Sequence, residues 1–413
     1  MASVKKIRYL IFLREVFWIA ITAYGGPQGH IALFFDFFVK KRGYLTEEEL
    51  LELNALCQIL PGPTSTQTIT AIGYKIGGAN LAYLTLLLWV LPAATIMTFA
   101  ALGITYLHKH NISDDFTKFI QPMAVGIIAY ASFSITKKVV KGRTSIFLML
   151  LSAISAYFIS KFSGNSHLAT FFYPLVIILA GVVTAILYTK KHPKEEKEKL
   201  NIQWANLFLF IGVFILAVSF GNIMSNRIIL LFENFYRNGS LIFGGGQVLV
   251  PLLNTEFVDY KHYLSSSEFN TGYGFVQAIP GPVFSFSSYI GCLSMREYGV
   301  SGQIWGSIVS SLGVFLPGTF LIFFVIRFWE QLKKYRIIRA SIEGISAASA
   351  GLIAAVAIIL FQSLNINFQT GIGIFEATLG FSTFFVLLFT KLRAPILIVV
   401  GLLMGLVWQF WIQ

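Results

Sequence analysis

Two proline-glycine-proline motifs lie beside residues that could bind an anion. Pro61-Gly62-Pro63 precedes Thr64-Ser65-Thr66-Gln67, and Pro280-Gly281-Pro282 precedes Val283-Phe284-Ser285. Prolines around a glycine stop one helix and allow another to begin. The first turn of the new helix has unpaired backbone N–H groups and about half a positive charge, which together favour an anion. With the neutral hydroxyl and amide donors beside it, this pattern predicts a site for a tetrahedral oxyanion.

Glycine-rich segments and two glutamines extend the predicted site. The glycine-rich pieces at 25–30 and 244–247 expose bare backbone, and Gln58 and Gln277 each lie one helical turn before the glycine between the prolines. A polar side chain at that depth needs a partner. The predicted substrate-binding residues are Gly25, Gly26, Gln28, Gln58, Gly62, Thr64, Ser65, Thr66, Gln67, Gly244, Gly245, Gln247, Gln277, Gly281 and Ser285.

Five ionisable residues are candidates for moving protons or charge. His30 and Asp36 lie within two helical turns and could relay protons, although a surface amphipathic helix ending in Lys40-Lys41-Arg42 explains them equally well. Lys75 and Arg296 could attract anions, but at the ends of half-helices such side chains more commonly extend to the membrane surface. Glu343 lies early in an apolar segment, where it could couple protons.

The elements around each motif predict a broken helical hairpin. Residues 47–60 form an amphipathic helical pattern, and a short apolar stretch follows over 64–76. Neither arm approaches the about 20 residues that cross a bilayer. Non-helical backbone at membrane depth is tolerated only where it is buried in protein or lines a wet cavity. One motif alone could be a plain turn with capping hydroxyls, but its recurrence favours a re-entrant hairpin that holds substrate.

The two motifs belong to an internal duplication. Tyr24-Gly25-Gly26 matches Phe243-Gly244-Gly245 at an offset of 219, and the same offset relates Glu49 to Glu268 and one Pro-Gly-Pro motif to the other. Pro92 and Pro317 match at an offset of 225. This pattern predicts an N-terminal repeat over 1–189, a charged cytoplasmic linker over 190–201 and a C-terminal repeat over 202–413.

Composition places the chain in a lipid bilayer. Of its 413 residues, 56% are hydrophobic and 12% are charged, about half the charge of a soluble domain. The net charge of +12 is typical of cytoplasmic loops facing anionic lipid and does not indicate nucleic acid. Pro92 predicts a kink in the first apolar segment. The segments predicted to be membrane helices are 80–107, 119–136, 145–162, 168–189, 203–222, 303–327, 341–362, 374–390 and 394–411.

The distribution of lysine and arginine predicts that the repeats are inverted. The basic loop at 137–143 and the linker are two helices apart, so both can be cytoplasmic, and the same holds for 327–339 and 391–393. The helix at 80–107 then leaves the cytoplasm, whereas its partner at 303–327 returns to it, as in many secondary transporters. Segments 7–24 and 228–243 carry charges, and we interpret them as interfacial or buried against protein.

Motifs for other chemistry are missing from the sequence. It contains no G-x-x-x-x-G-K-[ST] phosphate loop, and Cys57 and Cys292 have no metal-ligand spacing. We therefore expect no catalytic residues, cofactor or metal, and a protein that is not an enzyme.

These motifs also resemble a known family. Tyr24-Gly-Gly-Pro-Gln-Gly-His30, Leu56-Cys-Gln-Ile-Leu-Pro-Gly-Pro-Thr-Ser-Thr-Gln67, Phe243-Gly-Gly-Gly-Gln247 and Gln277-Ala-Ile-Pro-Gly-Pro282 look like the chromate ion transporter family in its long, two-domain form. Tyr24 stands where that family often has Phe. The resemblance implies chromate transport, usually as efflux, with sulfate as a related oxyanion.

Residues and resemblance together lead to one interpretation of function. The expected protein is an all-α secondary transporter of the cell membrane that moves chromate, or sulfate or a similar oxyanion, by alternating access between two inverted repeats. A channel-like anion pore is one alternative, and a carrier of sulfate or another oxyanion without a role for chromate is another. The expected partners are the oxyanion and the bilayer, and a homodimer is one of the oligomeric states left open.

Overall fold

The computed structural model of the chain is helical, and no strand occurs among the residues that it describes. The described residues are 2–23, 30–31, 33–110, 113, 115–162, 167–191, 204–224, 226–242, 249–327, 336–364, 366–392 and 394–411. The interior of the predicted linker, 192–201, lies outside them.

The helices follow the two repeats in order. Those of the first repeat are α1 (Ala2–Ala20), a π-helix (Phe35–Lys41), α2 (Glu47–Ile59), α3 (Thr64–Lys109), a 3₁₀ turn (Asp115–Thr117), α4 (Ile120–Val139), α5 (Arg143–Phe162) and α6 (His167–Lys191). Those of the second are α7 (Ala205–Met224), α8 (Arg227–Leu241), α9 (Leu249–Leu253), a π-helix (Asn254–Tyr260), α10 (Ser266–Ala278), a 3₁₀ turn (Val283–Ser285), α11 (Phe286–Ser294), a second 3₁₀ turn (Arg296–Tyr298), α12 (Gly299–Val325), α13 (Arg336–Ser363), α14 (Gly371–Phe389) and α15 (Ala394–Trp411).

Each of the nine apolar segments predicted to be helical overlaps a helix over most of its length, because apolar length is a local signal that the bilayer enforces. Among the described residues, four helical stretches are long and apolar enough to cross a membrane by composition alone. They are Thr64–Lys109, Arg296–Val325, Glu343–Gln362 and Gly371–Phe389. The chain is therefore an all-α, multi-pass membrane protein.

Both Pro-Gly-Pro motifs interrupt the helices as predicted. In the first repeat α2 ends at Ile59 and α3 begins at Thr64, and in the second α10 ends before the 3₁₀ turn that leads into α11. The backbone of α3 leaves helical geometry at Gly77 and Gly78, which separates a short first arm from the longer helix after it. Pro92 lies inside α3, whose non-helical dihedral angles occur at the two glycines, and the kink at Pro92 stays a prediction.

The first arm of each hairpin starts with the same reciprocal cap. The Glu49 N–H donates to the Thr46 hydroxyl, and the Thr46 N–H donates to the Glu49 carboxylate. Ser265 and Glu268 repeat both bonds at the same offset of 219. A capping box of this kind satisfies two N–H groups at a helix start. It gives a structural reason for the match between Glu49 and Glu268.

The chain folds into two compact units, and each takes segments from both repeats. The first contains 1–99, 197–246 and 279–334, and the second contains 100–196, 247–278 and 335–413. In the first unit α12 packs against α8 and α11. In the second, α13 packs against α4, α5 and α6.

Helix α8 keeps the charged pair Glu233 and Arg237 largely away from solvent. The Arg237 side chain is 10% exposed, and its Nε donates to the Glu233 carboxylate at 2.9 Å. Helix α8 has fifteen residues, and seven of them are buried. This helix is not among the four stretches suited to crossing a membrane unaided. This burial is in line with the interpretation of segment 228–243 as packed against protein.

Candidate functional site

A narrow cavity lies where the two Pro-Gly-Pro motifs meet inside the first compact unit. Its volume is about 10 Å³, room for about one water molecule. None of its lining side chains carries a fixed charge, and one, an imidazole, can be protonated. The lining residues are His30, Pro63, Thr64, Ser65, Pro282, Val283 and Phe284.

Reciprocal hydrogen bonds bring the two motifs together. The Gly62 N–H donates to the Ile242 carbonyl at 2.7 Å, and the Gly281 N–H donates to the Ala23 carbonyl at 2.9 Å. Both donors and both acceptors are related by the offset of 219. The Pro-Gly-Pro turn of each repeat is therefore held by a carbonyl of the other repeat.

Only glycine fits between the prolines. Gly62 has φ +117° and Gly281 has φ +109°, a region that L side chains rarely adopt. A Cβ on Gly62 would lie 3.1 Å from the Gly318 Cα, and one on Gly281 would lie 2.8 Å from the Ala93 Cβ. Because the N–H groups of these glycines already have acceptors, the glycines shape the turns, and other groups must contact a substrate.

The start of α3 supplies such groups. The first i→i−4 bond of this helix is donated by the Gln67 N–H to the Pro63 carbonyl at 2.8 Å. The N–H groups of Thr64, Ser65 and Thr66 precede that bond, so helix geometry leaves them without intrahelical acceptors. All three side chains are buried. An uncharged pocket at this helix end has the donors that an anion requires.

A small polar network covers this helix start. His30 is 1% exposed, and its Nδ1 lies 2.9 Å from the Ser65 hydroxyl. The Trp89 Nε1–H donates to the Thr66 hydroxyl at 3.1 Å, and the Trp89 ring packs edge-on against His30 with centroids 5.0 Å apart. The His30 Nε2 and the Gln67 Oε1 are buried without a hydrogen-bond partner among the described residues.

The side-chain amide of Gln67, a predicted substrate-binding residue, makes two hydrogen bonds to backbone carbonyls. Its Nε2 donates to the Pro61 carbonyl at 2.8 Å and to the Gly318 carbonyl at 3.1 Å. The amide therefore ties the hairpin tip to α12.

The second motif offers fewer polar groups. Its 3₁₀ turn begins with the Ser285 N–H donating to the Pro282 carbonyl at 2.9 Å, and Val283 and Phe284 line the cavity. The Ser285 hydroxyl is fully buried and has no hydrogen-bond partner among the described residues.

The structure does not bring four of the ionisable candidates to the cavity lining. Asp36 is exposed and pairs with Lys40 at 3.1 Å, in line with the surface-helix alternative. Lys75 pairs with Glu49 and holds the pKa of that carboxyl below its usual value. Arg296 is exposed. Glu343 belongs to the second compact unit, where the Ser145 hydroxyl donates to its carboxylate at 2.7 Å.

Gln277 is not among the described residues that line the cavity, and other predicted residues lie outside the described part of the chain. Gln277 ends α10 in the second compact unit, near the Tyr273 hydroxyl. Six predicted residues and the side chain of Gln58 lie outside what the structure describes. The six are Gly25, Gly26, Gln28, Gly244, Gly245 and Gln247.

Sequence reasoning missed Trp89 and the carbonyls of Ala23 and Ile242. Trp89 lies 23 residues from the hydroxyl that it contacts, and the carbonyls belong to the repeat opposite their donors. The only available signal was the duplication itself, because a contact made in one repeat predicts its counterpart in the other.

The fold and the cavity define a class of protein: a duplicated, all-helical, multi-pass membrane protein with a polar cavity where two Pro-Gly-Pro motifs meet. The model of the family described as "Chromate transporter" matches residues 10–185 and 229–406, one copy in each half. The chain belongs to the chromate transporter family. No solved structure matches it.

Relatives are similar over most of the chain. An uncharacterized transporter of Methanocaldococcus jannaschii is 26% identical over 94% of this chain and 91% of its own length. The chromate transport protein of Cupriavidus metallidurans is 26% identical over 96% of this chain and 92% of its own length. An uncharacterized transporter of Bacillus subtilis is 24% identical over 41% of this chain and 97% of its own length, about one repeat.

Proposed function

We propose that this protein is a secondary transporter that moves chromate across the cell membrane. Membership of the chromate transporter family supports this, as does the similarity to proteins named for chromate transport. The observation that carries the proposal is the uncharged cavity between the two Pro-Gly-Pro motifs, beside the start of α3.

The proposed site binds the dianion with neutral donors. The donors are the N–H groups of Thr64, Ser65 and Thr66 and the Ser65 hydroxyl. They lie at a helix start, where the macrodipole favours negative charge. The Ser285 hydroxyl is a donor from the second repeat, and it has no hydrogen-bond partner in the part of the chain that the structure describes. Sulfate has the same shape and charge, so it is a second substrate in the proposal. The predicted residues outside the described part, among them Gln58, Gln28 and Gln247, stay candidate contacts.

The size of the cavity favours a carrier over an open pore. A space for about one water molecule is too small for an anion of five heavy atoms, so the site must open before it binds. In an inverted repeat, exchanging the conformations of the two halves would expose the site to each side in turn. An inside-negative potential expels a dianion with about 2.3 kcal/mol per charge per 100 mV, which supports efflux as the direction.

Flux in proteoliposomes tests the proposal. We expect saturable uptake of labelled chromate and faster exchange when unlabelled chromate or sulfate is present on the opposite side. Ser65→Ala removes one hydrogen bond to a charged ligand, about 1.5–3 kcal/mol, so its KM should rise at least about tenfold. The matched control is Ser155→Ala in α5, whose hydroxyl donates to the Leu151 and Ser152 carbonyls of the same helix and should leave flux unchanged.

Each alternative has its own outcome in this experiment. Flux that does not saturate and shows no exchange would indicate a channel-like pore. Saturable sulfate flux without chromate flux would indicate a carrier of a different oxyanion. Equal KM values for Ser65→Ala and Ser155→Ala would remove Ser65 from the site.

A further inference from the structure

Among the described residues that line the cavity, His30 is the one whose side chain can take up a proton. It is 1% exposed, its Nδ1 contacts the Ser65 hydroxyl, and its Nε2 has no hydrogen-bond partner among the described residues. The other lining side chains cannot exchange a proton near neutral pH. They are Pro63, Thr64, Ser65, Pro282, Val283 and Phe284.

The groups packed against the ring are uncharged. Helix α3 presents Ser65 and Trp89, the carbonyl of Ala23 lies near the ring, and Val283 and Phe284 face it across the cavity. On its own segment the charged residues are at the surface: Asp36 pairs with Lys40, and Lys41 and Arg42 are exposed. No described charge in these elements neutralises the imidazole or an anion beside it.

This placement links protonation to anion binding. Burial among uncharged groups disfavours a charged imidazole, whereas a dianion in the same cavity strongly favours one. By thermodynamic linkage, a bound anion raises the affinity of His30 for a proton by the same factor by which a bound proton raises the affinity of the cavity for the anion. When Nδ1–H donates to the Ser65 hydroxyl, the lone pair of Nε2 can accept the proton whose uptake is linked to anion binding.

We propose that His30 is the coupling residue of the transporter, and that one proton travels with each oxyanion. The proton leaves water for Nε2 as the dianion enters the cavity, and Nε2 returns it to water when the anion departs on the other side. Each turnover then moves a net charge of −1 instead of −2. This inference rests on the proposed function.

Accumulation driven by a pH gradient tests the coupling. Proteoliposomes are clamped at zero membrane potential with potassium and valinomycin, at pH values alkaline enough to keep chromate a dianion, with the outside more acidic by one unit. One proton per anion should concentrate labelled chromate inside by about tenfold. A pH dye trapped inside should report acidification as chromate enters.

Two histidine variants separate coupling from a structural role. Glutamine cannot take up a proton, so His30→Gln should lower the accumulation ratio from about tenfold to near unity while exchange of labelled for unlabelled chromate stays measurable. The control is His110→Gln, an exposed histidine that packs against Tyr106 and should keep the full ratio. Ser65→Ala retains the imidazole, so it should slow transport and still reach the wild-type ratio.

The outcomes distinguish this inference from the function on which it rests. Wild-type protein that exchanges chromate but neither accumulates it under the gradient nor acidifies the interior would overturn the coupling alone. So would His30→Gln that accumulates chromate as wild type does. Should His30→Gln fail to fold, His30→Asn, which also cannot take up a proton, replaces it, and the accumulation and the dye signal of the wild type decide whether a proton travels with the anion. Wild-type protein without any exchange would overturn the proposed function and the coupling together.

Discussion

At the scale of single residues, Gln67 is a polar side chain whose hydrogen bonds support the backbone around the candidate site. Its amide donates to the carbonyls of Pro61 and Gly318. Gln67→Ala leaves both without that donor, and at about 0.5–1.5 kcal/mol for each hydrogen bond the stability should fall by about 1–3 kcal/mol. Gln67→Glu should be worse, because a carboxylate facing two carbonyls cannot donate. Unfolding of the purified protein in detergent measures both.

The control for Gln67 is Gln362→Ala. This glutamine also donates through Nε2, to the Tyr157 hydroxyl at 3.1 Å, but it is exposed. Surface changes of this kind usually stay within about 0.5 kcal/mol. If Gln67→Ala and Gln362→Ala lower the stability by the same amount, the hydrogen bonds of Gln67 do not hold the Pro-Gly-Pro turn in place.

Among the predicted site residues that line the cavity, Thr64 and Ser65 are those whose position depends on local structure. Thr64 and Ser65 follow a proline that ends a helix, and their position at the next helix start follows from that alone. The hydrogen bond from Gln67 to the Gly318 carbonyl joins residues 251 apart in the chain. The hydrogen bond between His30 and Ser65 joins residues 35 apart. No local pattern contains that information.

At the scale of elements, the two hairpin tips depend on glycine. Gly62→Ala and Gly281→Ala would force an L side chain into a strained backbone region at a cost of about 1–3 kcal/mol, and each new Cβ would press on a neighbouring helix. We expect both variants to unfold at lower temperature and to lose most chromate flux, because the tips would shift. Thermal unfolding and flux on the same preparations measure this.

A matched glycine tests whether the effect comes from the tip. Gly103 lies within α3, has no positive φ, and a Cβ there would meet nothing within 4 Å. Gly103→Ala should therefore be neutral or should stabilise by up to about 1 kcal/mol, since alanine favours a helix over glycine. Similar losses in all three variants would mean that the left-handed turns are not the sensitive feature.

The elements themselves were largely predictable. Helices α4, α5, α6 and α14 coincide within a few residues with the apolar segments, since length and hydropathy are local properties. The shared start of α2 and α10 was also visible as Thr46-Glu47-Glu48-Glu49 and Ser265-Ser266-Ser267-Glu268, two capping boxes.

At the scale of the whole molecule, the repeats of the sequence are not the compact units of the fold. Residues 1–99 and 279–334 share one unit, and 100–196 and 335–413 share the other. The duplication predicts which segments are equivalent, but packing decides which segments associate. The bonds from Gly62 to Ile242 and from Gly281 to Ala23 show the consequence, since each repeat completes the site of the other.

The opposite orientation of the repeats in the membrane is the remaining prediction at this scale, and equivalent residues test it. Glu48 and Ser267 differ by the offset of 219, and both are exposed in the first turn of their helices. The charge distribution places Glu48 on the cytoplasmic face and Ser267 on the outer face. With Cys57 and Cys292 buried, an impermeant maleimide on intact cells should label Ser267→Cys, and should label Glu48→Cys only after permeabilisation. Labelling of both from one side would contradict the inverted repeat, and with it the exchange of conformations by which the site would face each side in turn.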